Sequence, residues 1–206
     1  MIFHAAKEAL EKENIEVTYA GILPTPSMLL LTRVLSYDGG IMITASHNPP
    51  QYNGVKFIMP SGMLTNEAQT ALIEKYRASL TEEEKTPSLP SDSSEPEIDN
   101  SEFRKIHVQE VLKNVDADLI RSKKFKVTLD PINSGGSLFA QELLKELNCE
   151  VHVINGEVNG NFAHTPEPLE INLTETAKFV EKILPDVGFV QDPDADRLVL
   201  FNEQGK

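Results

Sequence analysis

One stretch of this chain has almost nothing to bury, and it decides how the rest can fold. Residues 81–102 (TEEEKTPSLPSDSSEPEIDNSE) carry eight acids against one lysine, are rich in Ser and Pro, and offer only Leu89 and Ile98 as sizeable apolar side chains. Burial there cannot offset the entropy of ordering, so the block reads as an exposed linker in preference to an acidic interaction tail. The 206 residues therefore divide into a first unit (1–81), an acidic Ser/Pro-rich linker (82–102) and a second unit (103–206). With 40% apolar and 25% charged residues, the chain is globular and long enough to bury a core without staples. Its net charge of −13 argues against a general polyanion binder, and so against nucleic acid as a partner. A lone cysteine, Cys149, rules out an internal disulfide and fits a reducing compartment. The opening MIFHAAKEAL has no basic segment leading into an apolar one, and no apolar run approaches the roughly 18 residues a bilayer demands. A cytoplasmic protein with no membrane partner is the expectation.

Each unit alternates helical and extended patterns. In the first, Phe3, Ala6 and Leu10 recur at helical spacing, and residues 16–22 (EVTYAGI) read as a strand. Thr25 followed by Pro26 reads as an N-cap opening a helix to Leu35, whose stripe of Met28, Leu31 and Leu35 is read as core. Gly39 and Gly40 break that helix. Residues 41–45 and 54–59 read as strands, and Asn66 with Gln69 starts a helix to Leu80. In the second unit, helices are expected near 103–115, over 136–147 and after a cap at Asn172 with Glu175; strands are expected at 125–130, 150–154, 187–190 and 198–201. The alternation predicts an α/β fold class: two three-layer α/β/α units with mixed, largely parallel sheets, joined by the acidic linker. The first unit opens on a helix and the second stops just after a strand, so both ends read as cut.

Two loops carry candidate chemistry, each directly after an apolar strand, where ligand sites of α/β folds gather. In TASHNPP (44–50), Ser46 and His47 are adjacent, Asn48 follows, and Lys56 stands ten residues after the serine. A serine acts as a nucleophile only with help, which a histidine or lysine within hydrogen-bond reach supplies. The same residues also read as a polar turn closed by Asn-Pro-Pro. In DPDADR (192–197), Asp192, Asp194 and Asp196 alternate and can converge on one hard cation such as Mg²⁺, with Arg197 beside them to relieve charge or hold a phosphate. The competing reading is an exposed acidic turn. A nucleophile at one strand end and a cation site at another describe phosphoryl transfer. The Asn133-Ser134-Gly135-Gly136 turn reads as a structural strand-to-helix connection, His164 as a loop histidine, and His107, His152 and Cys149 carry no assigned role.

The serine motif TASHNPPQYNGVKF with DPDADR downstream resembles the α-D-phosphohexomutase family, which includes phosphomannomutases, phosphoglucomutases and phosphoglucosamine mutases. The stretches GILPTP (21–26), DPINSGG (130–136) and FAHTPEP (162–168) resemble segments of that family in the same order. The resemblance implies that Ser46 carries a phosphoryl group and exchanges it with a hexose phosphate through a hexose 1,6-bisphosphate, interconverting the 1- and 6-phosphates. It implies that Asp192, Asp194 and Asp196 bind Mg²⁺ together with an oxygen of phosphorylated Ser46. Lys56 would be the general acid or base, His47 and Asn48 would shape the phosphoserine loop, and Arg197 would contact the phosphoryl group. The proline in DPDADR replaces a glycine common in the family.

Other departures are larger. Family members are more than twice this length, with four domains, and their opening Gly-Thr-Ser-Gly-like segment has no counterpart here. The resemblance therefore covers most of domain I and most of domain II, with a companion chain as one source of the rest. The isolated chain is expected to be an inactive or weakly active fragment. Two rivals remain: a phosphatase forming an aspartyl-phosphate on Asp192, and a non-catalytic fragment that binds metal or a partner.

Overall fold

The computed structural model describes residues 2–49, 51–80 and 98–206. The expected linker lies outside the described residues except for 98–102, as does Pro50 of the serine loop. Residues 98–102 are not free chain: Asn100 is buried, its Nδ2 donates to the Ile22 carbonyl at 2.7 Å, and the next helix already begins at Ser101.

The first unit comprises α1 (Ile2–Lys12), α2 (Thr25–Val34), β1 (Gly40–Ile43), β2 (Val55–Met59), β3 (Gly62–Met63) and α3 (Asn66–Ser79). The expected strand at 16–22 forms no ladder; the segment carries no regular secondary structure and Gly21 stands at φ 72°. Its β-prone composition fits an extended conformation, but a strand needs a partner, and no described strand runs beside it. Phe3 instead ties α1 to it through Tyr19, with ring centroids 4.0 Å apart. The described sheet, β1-β2-β3, is antiparallel throughout, with Gly40 opposite Ile58 and Ile43 opposite Val55. The connection over 44–54 contains no helix among its described residues and is shorter than the dozen or more residues of a parallel crossover, so the chain can only turn back. Two caps shift. Thr65, not Asn66, caps α3 by accepting from the Ala68 N–H at 3.3 Å, and Thr25 makes no capping bond, because its hydroxyl is engaged elsewhere. Along α2, Leu31 is buried and Met28 half-buried, whereas Leu35 is exposed; Ser27 and Thr32 fill the buried face instead.

The second unit comprises α4 (Ser101–Leu112), α5 (Ala117–Lys123), β4 (Lys126–Asp130), α6 (Gly136–Glu146), β5 (Glu150–Val153), α7 (Thr174–Ile183), β6 (Val187–Gln191) and β7 (Leu198–Phe201). Helix α5 has no counterpart in the sequence reading; Asp116 caps it through the Leu119 N–H. Asn172 does not cap α7. It closes a 3-10 turn (Glu170–Asn172), and its side chain donates to the Glu167 carbonyl at 2.8 Å. The sheet order is β5-β4-β6-β7, parallel across the first three strands with β7 antiparallel at the edge. The largely parallel arrangement thus belongs to this unit. From β4 the chain moves one way to β5 through α6, then back past β4 to β6 through α7. Right-handed crossovers in opposite directions put α6 and α7 on opposite faces, giving three layers. They also place a topological switch point between the carboxyl ends of β4 and β6, where doubly wound sheets open a ligand crevice. Leu173, Val180, Val190 and Phe201 form the core beneath α7. Helix α4 packs on both α2 and α6 and so joins the units.

Candidate active site

The loop after β6, residues 192–197, leaves the sheet at the switch point. Asp192 and Asp194 are buried, at 0% and 2% exposure, while the Asp196 side chain is 35% exposed. One oxygen from each carboxylate lies within 4.8 Å of the other two. The turn is closed internally by the Ala195 N–H donating to the Asp192 carbonyl and the Arg197 N–H donating to Asp192 Oδ1. It is braced from outside by Ser134, whose hydroxyl donates to the Pro193 carbonyl at 2.5 Å. Gly136 lies under Ala195; a Cβ there would come within 2.8 Å of the Ala195 Cβ. The Asn-Ser-Gly-Gly turn therefore shapes the acidic loop.

The serine loop after β1 faces this turn from the first unit. Thr44 pairs with Gly54 across its base, and a Cβ on Gly54 would meet the Thr44 carbonyl at 2.8 Å. Ser46 sits at φ 52°, where its N–H donates to Thr44 Oγ1 at 2.9 Å. Its Oγ donates to Asp192 Oδ2 at 3.3 Å, across 146 residues of sequence, and lies 3.5 Å from His47 Nδ1. Lys56, on β2, donates to Asp194 Oδ2 at 2.6 Å and Asp196 Oδ2 at 3.1 Å. Asn48 turns away: its Nδ2 donates to the Ala45 carbonyl, so it shapes the loop and touches none of the acids. Arg197 is exposed, with Nε 4.0 Å from Asp192 Oδ2.

Thr25 belongs to this constellation, and the sequence reading missed it. Its Oγ1 donates to Asp194 Oδ2 at 2.7 Å and its N–H donates to the Asp194 carbonyl at 2.9 Å, fastening the first turn of α2 to the acidic loop. The Thr-Pro pair looked like a cap because both uses present the same residue at the same helix end.

The electrostatics separate the acids. Burial pushes the Asp192 carboxyl up to about 6, reinforced by the charges of Asp194 and Asp196 and only partly opposed by the Arg197 N–H. Burial pushes Asp194 the same way, but hydrogen bonds from Lys56 and Thr25, with the Lys56 charge, outweigh it and hold that carboxyl below its ordinary value. Lys56 is likewise penalised by burial, yet its two carboxylate partners keep it above its ordinary value. Asp194 Oδ1 is buried with no hydrogen-bond partner among the described residues. An unpaired buried carboxylate oxygen within a set of three converging acids is the donor set of a hard divalent cation, so the residues present fit Mg²⁺.

A second buried carboxylate stands at the end of β4. Asp130 accepts from the Ile132 N–H at 3.0 Å, from Asn155 Nδ2 at 3.1 Å on both oxygens, and from Thr176 Oγ1; His164 Nε2 lies 3.3 Å away. His164, read as a loop histidine, is thereby tied to the sheet. Burial pushes Asp130 up and His164 down, but their mutual contact and the other hydrogen bonds win, leaving Asp130 lowered and His164 raised. The Asp130 contribution to stability is present above its ordinary value of 3.8 and lost as pH falls through the lowered one. The His164 contribution is present below its ordinary 6.5 and lost as pH rises through the raised one. Urea unfolding of the wild-type chain and His164→Leu should therefore differ more at about pH 6 than at about pH 8.5. An equal difference at both would contradict the pairing.

Comparison with known proteins follows the same outline. Residues 1–84 match phosphoglucomutase/phosphomannomutase alpha/beta/alpha domain I, and residues 105–205 match alpha/beta/alpha domain II. The whole chain aligns at 33% identity with a phosphoglucosamine/phosphogalactosamine mutase of Sulfurisphaera tokodaii, covering 45% of it. It aligns at 34% identity with a phosphoglucomutase/phosphomannomutase of Thermococcus kodakarensis, covering 44% of that protein. A solved phosphoglucomutase/phosphomannomutase family protein of Burkholderia thailandensis superposes with a TM-score of 0.69 at 25% identity, over 93% of this chain and 41% of its own. The chain thus spans less than half the length of these relatives. No helix among the described residues is long and apolar enough to cross a membrane. Two matched domains in sequence order, with the serine and acidic loops meeting between them, show that the chain belongs to the phosphoglucomutase/phosphomannomutase family of phosphohexomutases.

Proposed function

We propose that this chain carries the phosphoserine and cation-binding part of a phosphohexomutase site, interconverting hexose 1- and 6-phosphates through a hexose 1,6-bisphosphate. The observation that carries the reading is the 3.3 Å contact between Ser46 Oγ and Asp192, inside a cluster whose Asp194 Oδ1 is unpaired. Residues 1–81 act as domain I and 103–206 as domain II. Asp192, Asp194 and Asp196 would hold Mg²⁺, which would supply positive charge to offset that of a phosphoryl group. In the transfer the Ser46 Oγ–P bond forms as the sugar O–P bond breaks. The serine proton has two acceptors within reach, Asp192 Oδ2 and His47 Nδ1 at 3.5 Å. Lys56 exchanges the proton of the sugar oxygen, Arg197 contacts the phosphoryl oxygens, and Asn48 holds the loop. The names of the relatives differ in the hexose they specify, and the substrate class common to them is a hexose phosphate.

The test is the half-reaction, which needs only this part of the site. Incubated with glucose 1,6-bisphosphate and Mg²⁺, the chain should take up one phosphoryl group and release glucose monophosphate. The adduct should resist acid and hydroxylamine and map to the peptide containing Ser46. A hydroxylamine-labile adduct on Asp192 would instead establish aspartyl-phosphate chemistry. Repeated turnover should be weak in the isolated chain, because orienting the bisphosphate both ways requires remote binding energy.

A further inference from the structure

We propose that Lys56 is a resident counter-cation of the acidic loop, and that loading a divalent cation expels its ammonium from Asp194 and Asp196. The inference rests on the assignment of the cation site given under Proposed function. Lys56 Nζ is bonded to Asp194 Oδ2 and Asp196 Oδ2, and both carboxylates belong to the converging set that fits Mg²⁺. The ammonium and a divalent cation therefore draw on two of the same three acids. Like charges so close repel strongly where water is largely excluded, and here one of the acids is 98% buried by its 2% exposure.

The two claims are unequal. Three carboxylates crowded within 4.8 Å need more positive charge than one lysine carries, and Arg197 stands 4.0 Å off and exposed. Lys56 is a monovalent stand-in on a flexible stem, with its side chain 23% exposed. It leaves Asp194 Oδ1 unsatisfied, which a divalent cation with several oxygen ligands would not. Lys56 belongs to β2 in the first unit and the acids to the second, so the stand-in also holds the two loops together while no metal is bound. Its release supplies a free ammonium within the site only once the cation is in place. Cation loading thus precedes the availability of Lys56 for proton exchange.

The experiment is Mn²⁺ titration of the full 206-residue chain, read by the electron-paramagnetic resonance of free Mn²⁺, on wild type and Lys56→Met. Removing the competing ammonium should tighten Mn²⁺ binding about tenfold, or about 1.4 kcal/mol. Equal or weaker binding by a folded Lys56→Met would overturn the proposal while leaving the cation site standing. Absence of Mn²⁺ binding by both chains would overturn the cation site and the proposal with it. A second readout needs no variant: amine labelling of wild-type Lys56, mapped by mass spectrometry, should rise several-fold when Mg²⁺ replaces a chelator. Labelling that stays constant or falls on Mg²⁺ addition would also overturn it.

Discussion

Ser46→Ala is expected to abolish phosphoryl uptake from glucose 1,6-bisphosphate while leaving the chain folded. The hydroxyl is the only group removed, and its loss forfeits one hydrogen bond to a carboxylate, worth about 1.5–3 kcal/mol at most. Asp192 keeps the bond from the Arg197 N–H to Oδ1, and Oδ2 keeps the Arg197 guanidinium 4.0 Å away. The left-handed backbone at Ser46 costs alanine about as much as serine, so the loop geometry should persist. Chemistry has no such reserve, because the phosphoester has nowhere else to form. Circular dichroism should be unchanged and intact mass should show no adduct. Uptake by Ser46→Ala at the wild-type rate would place the nucleophile elsewhere, with Asp192 the first residue to examine.

The second large effect is structural. Asp130→Ala should cost about 3–5 kcal/mol, the usual penalty for removing one partner of a buried charged pair. Against a typical total of about 5–15 kcal/mol, that is enough to unfold a substantial fraction of the chain. Asp130 is 1% exposed and gathers the Ile132 N–H, Asn155, His164 and Thr176 from four separate stretches of chain. Without it the Ile132 N–H, Asn155 and Thr176 lose their acceptor in the interior and His164 loses its charge partner. The measurement is urea unfolding at about pH 6, where both charged forms contribute. A loss under about 1 kcal/mol would show the cluster to be replaceable by water.

Much of this architecture could be read from the chain, and the misses have physical causes. Helices α1 and α6 and strands β2, β4 and β6 follow from local periodicity, which sequence displays directly. The segment at 16–22 shows where that logic stops: its residues favour extension, but ladder pairing depends on a neighbour that periodicity does not reveal. Strand direction in the first sheet was within reach, since the connection over 44–54 is too short for a parallel crossover, but the expectation of largely parallel sheets passed over that constraint. In the site, DPDADR advertised itself through charge crowded between apolar strands. Thr25 did not, because a threonine at a helix start has a local use that masks a distant one. The meeting of Ser46 with Asp192 was anticipated from the two strand ends as well as from the resemblance, whereas the packing between α2, α4 and α6 that accompanies it was not. His164 was missed for a similar reason, since its partner Asp130 looked like the ordinary end of a strand.

The central claim is that the serine loop of the first unit and the acidic loop of the second make one cation-dependent phosphoryl site. The most direct measurement is ³¹P NMR of the chain phosphorylated on Ser46, titrated with substoichiometric Mn²⁺, beside Asp194→Asn prepared in the same way. A paramagnetic ion held by Asp192, Asp194 and Asp196 must broaden a phosphoserine resonance only a few ångströms away. The account predicts that the signal disappears in the wild-type chain and stays sharp in Asp194→Asn. A phosphoserine resonance that stays sharp while the wild-type chain binds Mn²⁺ would contradict it.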